Sequence, residues 1–253
     1  MRSIIIIFLF LFTINCINGQ AKEQDTSTKI HISLSPIIGL HVNIFNKGLE
    51  SLNSSLSFQG KYPVILPVFN SAGVAIVFKT VKDYSFTELS ILQASHDIDD
   101  KTKQYRFVPK LKGYAFRSIY TKKLWEKGKK RIDGGFGMSM SKFDFNLVDR
   151  LIIQSPFDTL LKSPINASGS LDYAQSSYNW NLEGRLGLTY NAGWFKKSFD
   201  AYEFSFFINY SQALYTSKNW VVSDTNIKVP NFPTINFSNV YFQFVNSIYF
   251  KRK

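Results

Sequence analysis

The chain predicts an all-β protein: an up-and-down antiparallel transmembrane β-barrel, most simply of eight strands. Three observations predict it: one strictly alternating strand with aromatic ends, an export leader, and no later apolar run of helix length. The strand is YNWNLEGRLGLTYN, residues 178–191. Its even positions carry Tyr178, Trp180, Leu182, Leu186, Leu188 and Tyr190, and its odd positions carry Asn179, Asn181, Glu183, Arg185 and Thr189. Successive side chains of a strand point to opposite faces, so period two separates an apolar face from a polar one. Aromatic residues at both ends of the apolar face match the interfacial girdles of a membrane strand. Twelve steps from Tyr178 to Tyr190 span roughly 40 Å, or about 30 Å along the membrane normal at a tilt of about 40°.

The leader has Arg2 ahead of nine apolar residues, Ile4 to Phe12, and then a polar stretch closing on Ile17-Asn18-Gly19. This is the layout of a secretory signal over 1–19, with Gln20 as the first mature residue. Its apolar run is too short to span a bilayer as a helix. No other stretch approaches the 18 or so consecutive apolar residues that a membrane helix needs, so a membrane protein made from this chain must close a sheet. Cys16, the one cysteine, falls in the leader. The mature chain is therefore expected to have neither disulfide nor thiol nucleophile, and the residues ahead of Cys16 do not suit lipidation.

Residues 20–29 read as a flexible leader, 30–250 as the barrel and 251–253 as a basic tail. The expected strands are 30–44, 72–80, 84–95, 104–120, 132–145, 178–191, 201–215 and 235–250. Residues 45–71 read as a long loop with its own hairpin. If Leu49 to Phe58 and a segment of a later loop instead paired into the wall, the count would be ten. Connections of about 27, 8, 32 and 20 residues then fall at one end, and about 4, 11 and 10 at the other, together with both termini. Long outer loops, short inner turns and an even strand number are the outer-membrane layout.

Abundant Phe and Tyr, 24 and 13 residues, suit alternating strands. The formal charge of +12 admits nucleic acid or anionic lipid as partners, and export excludes nucleic acid. The basic residues gather at Lys122, Lys123, Lys127, Lys129, Lys130 and Arg131, at Lys196 and Lys197, and in the tail. These groups fall at the short-turn, periplasmic end of the expected topology, where each near-surface charge is worth about 1 kcal/mol against an anionic leaflet. On the polar faces, Asp133, Glu183, Arg185 and Glu203 are expected to form a charge network in a lumen only wide enough for side chains. Buried ions there must pair.

No metal or cofactor is expected. His31 and His41 share a face but lie about 33 Å apart along a strand, too far to share one ion. The Gly134-Gly135-Phe136-Gly137 cluster sits in an alternating strand, where glycine eases curvature or close packing.

The leader ending before Gln20, the strand SPIIGLHVN, the aromatic strands and the closing run VYFQFVNSIYF together resemble the small outer-membrane β-barrels of Bacteroidetes-type bacteria, the OmpA-like or porin-family barrels. The resemblance covers nearly the whole chain after the leader. It implies an outer-membrane location and a final aromatic residue read by the barrel-assembly machinery. Here Phe250 is followed by Lys251-Arg252-Lys253, a departure from that ending. Barrels of this kind include lipid A deacylases with Ser and His at the outer rim, which draws attention to Ser95-His96-Asp97. Neighbours in an extended chain point apart, however, and a nucleophile must lie within about 3 Å of its base.

The reading is a non-enzymatic outer-membrane barrel with a side-chain-filled lumen, acting through outer loops or as a structural anchor. Its expected partners are outer-membrane lipid, the assembly machinery, and a surface ligand or secretion-system component. The alternatives are a lipid-modifying hydrolase in which His96 meets a serine of another loop, a narrow pore, and a soluble exported β-sandwich.

Overall fold

The structure is a computed structural model that describes residues 31–42, 47–58, 65, 68–80, 83–95, 107–149, 171–192, 199–223, 227–235 and 238–250. The leader, residues 20–29, His96, Asp97, Lys196, Lys197 and the 251–253 tail lie outside them. Among the described residues, eight long strands form the wall: β1 (His31–Val42), β2 (Val68–Lys79), β3 (Asp83–Ser95), β4 (Phe107–Lys127), β5 (Lys130–Asp149), β7 (Asn179–Asn191), β8 (Phe199–Tyr215) and β11 (Asn239–Phe250). Each pairs antiparallel with the next, and β11 returns to β1, so the sheet closes with no free edge in the wall.

Closure is staggered. From His31 the directly opposed residues run Lys79, Tyr84, Thr121, Gly135, Arg185, Asn209 and Tyr241, and the circuit returns to β1 at His41. The return is ten residues further along β1, and ten residues of stagger over eight strands tilts them by roughly 43° to the axis. Pro36 interrupts one ladder. The β1–β11 pairing lapses at Ser35 and Pro36 and resumes at Ile37, while β1–β2 continues through both. A hydrogen bond from Ser35 Oγ to Ser247 Oγ, 2.9 Å, bridges the gap with side chains.

Alternation holds around the wall with its usual sense reversed. Exposed outward positions include Ile38, Leu89, Phe136, Leu186, Leu188 and Phe244, while the buried inward set is rich in Ser, Asn, Glu and Arg. No helix among the described residues is long and apolar enough to cross a membrane, which says nothing about crossing by strands. The strand ends that lead into the longest sequence stretches, Val42, Ser95, Asp149 and Tyr215, share one end, and the short turns share the other.

Several expected boundaries are corrected. Residues 45–71 contain helix α1 (Lys47–Phe58), not a hairpin or a strand pair. Leu52 and Leu56 recur at a spacing of four, which is a multiple of both two and roughly the helical turn; burial of Leu49 and Leu52 on one face decides for the helix. β2 begins at Val68 and β4 continues to Lys127. The basic stretch 121–131 is thus a hairpin closed over Gly128 and Lys129, with Gly128 at φ 61° where glycine is favoured, and Arg131 lies in β5 with its side chain inside the barrel. The long loop expected at 146–177 is shortened by β5 and by β6 (Leu171–Gln175). β11 begins at Asn239, and Ile235 is buried at the barrel mouth instead. Short strands β6, β9 (Trp220–Val222) and β10 (Lys228–Val229) extend the sheet from β5 above the wall without entering it, so the wall holds eight strands and not ten.

The mouth at that end is filled by an apolar cluster. Leu49 and Leu52 of α1, Ile65, Trp220 and Ile235 meet Phe69, Leu92, Leu111 and Phe143 from the wall. Asn53 fixes the helix to the chain beyond it, its side chain both donating to Ile65 O and accepting from Ile65 N at 2.8 Å.

Gly137 and Gly184 give a paired test of how tightly the wall coils. A Cβ on Gly137 would sit 2.1 Å from Ser118 O and 2.7 Å from Ile119 Cα, both backbone, whereas one on Gly184 meets only Tyr210 O at 3.9 Å. Gly137→Val should lower stability by about 1–3 kcal/mol. Gly184→Ala should stay within about 0.5 kcal/mol. Urea unfolding of the refolded protein measures both, and equal midpoints would contradict the close approach of β4 and β5.

Candidate functional site

The inward faces assemble two charge clusters. Near mid-barrel, Glu88 of β3 lies directly opposite Arg117 of β4, and Arg117 Nη1 donates to Glu88 and, at 2.7 Å, to Ser90 Oγ. Glu88 also accepts from Gln243 Nε2 at 3.0 and 3.1 Å and lies 4.0 Å from Arg185 Nη2. Arg185 donates to Asn209 Oδ1 at 2.7 Å and Gln243 Oε1 at 2.8 Å, with its guanidinium over the Phe207 ring at 4.5 Å. Glu183 accepts from three hydroxyls, those of Ser139, Ser211 and Tyr241, and lies 3.9 Å from Arg117 Nε.

The second cluster lies toward the short-turn end. Arg131 grips Glu203 with two parallel bonds of 3.2 and 3.1 Å and donates Nε to Asp133 at 2.8 Å. Paired donors of this kind match the planar fork of guanidinium to a carboxylate. Lys79 also donates to Glu203, Thr189 donates to Asp133 at 2.6 Å, and Tyr249 donates to Glu203 at 3.3 Å. Each cluster thus holds two acids and two bases.

All four residues expected in the lumen, Asp133, Glu183, Arg185 and Glu203, are buried. They do not meet as one network. Glu183 and Arg185 belong to the mid-barrel cluster, and each finds its nearest opposite charge in a residue that sequence reasoning did not select, Arg117 and Glu88. Asp133 and Glu203 belong to the other, joined by Arg131 and Lys79. Arg131 is only 7% exposed, which removes it from the basic surface where the sequence placed it. Among the others in that group, Lys122, Lys127, Lys129 and Lys130 are exposed, and Lys123 pairs with Glu126.

The missed residues left a signal that period two could not isolate. The inward face of β3 mixes Tyr84, Phe86, Glu88, Ser90 and Leu92, and that of β4 mixes Leu111, Ala115, Arg117 and Ile119. Neither reads as polar by itself. An acid and a base directly opposed across one hairpin was the available cue.

Above the charges, Gln175 Oε1 accepts from Phe143 N at 3.0 Å and Asn179 Nδ2 at 2.9 Å, and Asn179 Oδ1 accepts from Ser217 N at 2.8 Å. With Gln175 Nε2, which donates to Ser217 O at 3.4 Å and Ile235 O at 3.3 Å, these bonds hold Ser217 and Ile235 at the mouth. His41 places Nε2 2.9 Å from Ser71 Oγ and stacks on Tyr241 with ring centroids 4.5 Å apart, fully buried. No group of acids, histidines and cysteines suited to a metal occurs among the described residues.

No protein-family model matches the chain, and no curated protein matches its sequence. The architecture defines the class: a closed, eight-stranded, up-and-down antiparallel β-barrel, compatible with the outer-membrane type.

Within the mid-barrel cluster the geometry makes Glu88/Arg117 the strongest coupling. Arg117→Leu alone should cost about 3–5 kcal/mol, since it leaves two acids facing one remaining cation. A double-mutant cycle on urea midpoints should give more coupling for Glu88→Gln with Arg117→Leu than for Glu183→Gln with Arg185→Leu. The reverse order would contradict the pairing.

Proposed function

We propose that this chain is an integral outer-membrane barrel without enzymatic activity, whose interior is closed and whose function is carried by the end bearing the long connections, in surface binding or anchoring. One observation carries the reading: the wall is apolar outside and charged inside. Leu186 and Leu188 are 55% and 61% exposed, whereas Glu183 and Arg185 on the same strand are 1% and 5% exposed. A water-soluble barrel would bury the leucines instead. Exposed apolar area of this extent marks a surface that meets an apolar medium.

The closed interior is supported from both directions along the axis. Eight strands leave room for side chains only, and paired charges occupy the middle and one end. The apolar cluster of α1, Trp220 and Ile235 occupies the other. A non-enzymatic role is supported by the setting of His41 and Ser71, which are 0% and 4% exposed inside the wall. The likeness to OmpA-like barrels and a periplasmic position for the short turns belong to the same reading. They rest on the strand pattern and on the end-to-end difference in connection length.

Two measurements test it. The unfolded protein should insert into phospholipid vesicles, migrate differently on gels before and after boiling, and give no steady conductance in planar bilayers. A soluble product or a stable open pore would overturn the reading. For sidedness, Asn219→Cys should react with an impermeant maleimide on intact cells and Gly128→Cys should not. Equal labelling would dismantle the orientation.

A further inference from the structure

On the reading that the wall faces lipid, we propose that its outer face carries a specific site for one anionic phospholipid, entered at the β4–β5 hairpin. The wall there has a groove of about 470 Å³. Its sides are two register rows running across β5, β7, β8 and β11. One row is Ile132, Leu188, Phe206 and Phe244, and the other is Lys130, Tyr190, Phe204 and Asn246. The row between them, which includes Thr189 and Ser205, turns its side chains inward and leaves backbone as the floor. The groove therefore runs across the strands for three spacings, about 14 Å. Because the strands are tilted, it climbs obliquely from the hairpin into the apolar belt, a path suited to an acyl chain.

The entrance is built by a β-bulge. The β4–β5 register shifts between Lys123 and Trp125, so Leu124 is an extra residue and both Leu124 and Trp125 face outward, 60% and 47% exposed. Leu124 lies over Gly134, where an added Cβ would come within 2.8 Å of its Cδ1. Trp125 lines the groove opposite Tyr190, and indole and phenol rings favour the headgroup level of a bilayer. Around them stand the exposed Lys122, Lys127, Lys129 and Lys130. Residues 121–131 contain one acid, Glu126, and Lys123 holds it. An apolar trough that ends in a hairpin with more exposed lysines than acids, Lys122 opposite Asp83 of β3 and Lys123 holding Glu126, fits a ligand with an acyl chain and a negative head. A zwitterionic head would bring its own cation into the same lysines.

The test uses the full chain refolded in uncharged detergent micelles, with dimyristoyl phosphatidylglycerol or dimyristoyl phosphatidylcholine added and retention read by native mass spectrometry. One phosphatidylglycerol per chain should be retained about tenfold more tightly than phosphatidylcholine. Leu188→Trp fills the groove, and Lys129→Glu with Lys130→Glu reverses the entrance; each should reduce phosphatidylglycerol retention about tenfold or more. If Leu188→Trp does not fold, the lysine pair decides, because those side chains are exposed on the hairpin. Equal retention of the two lipids, or retention unchanged in the folded variants, would overturn the site. Heat-dependent gel migration is read in parallel. Its absence in the unmodified protein would remove the membrane reading and the site together, whereas its presence with failed lipid selectivity removes the site alone.

Discussion

Closing eight strands with a stagger of ten leaves an interior in which every inward side chain must find its partner on a neighbouring or facing strand. Four acids and four bases meet that constraint here, in two neutral groups. Removing one ion from water costs several kcal/mol even after relaxation, and a good pair roughly offsets the loss. The charges are therefore a weak source of net stability and a strong source of selectivity. Arg131 of β5 is bonded to Glu203 of β8, and Gln243 of β11 to Glu88 of β3. A slip of one residue in any of these strands would turn its ion or amide outward and leave the partner alone inside. Register is thus fixed by what a wrong register would strand.

If the charges only break even, the free energy of the fold must come from elsewhere. The wall ladders pair most of the backbone of the long strands, apart from the β1–β11 lapse at Ser35 and Pro36, and closure removes the edges that would otherwise need covering. The outward leucines, isoleucines and phenylalanines contribute only when an apolar medium receives them. In water the same residues would favour aggregation. Stability and location are therefore linked through one surface.

The fold was legible because its strongest signals are local. Residues 178–191 alternate without an exception that matters, and the structure keeps Glu183, Arg185 and Thr189 inside while Leu186 and Leu188 stay outside. The same held for Tyr202 to Ser211 in β8, with Glu203 and Asn209 buried and Phe204 and Ile208 facing out. The less legible parts depend on long-range partners. Arg131 sits in a run of lysines and reads as surface, yet a bidentate acid 72 positions away draws it inside. Glu88 and Arg117 share inward faces with Phe86 and Ile119, so neither strand has one polar side to read. The α1 segment fails for a simpler reason: two leucines four residues apart satisfy both periods.

The two ends of the barrel close by different physics, and each depends on the other. Toward the short turns, Lys79 is 20% exposed and Arg131 8% exposed by side chain, so the ion pairs there retain some access to water. Toward the long connections, Trp220 stacks on Phe232 at 4.2 Å, and Phe232 in turn meets Phe145 at 5.6 Å. This dry cap excludes water from the interior beneath it, where Arg117 and Glu88 are 0% and 1% exposed. Low polarity strengthens a completed pair and penalises an incomplete one. The cap is tolerable because the mid-barrel cluster is neutral and hydrogen-bonded by Ser90, Ser139, Ser211, Asn209, Gln243 and Tyr241, with Arg185 Nη1 left without a hydrogen bond among the described residues. Without the cap, water could enter and the ions would need no such set of partners. Hydroxyls and amides so densely placed in one interior are what a sealed compartment requires, and they connect the apolar mouth to the charges below it.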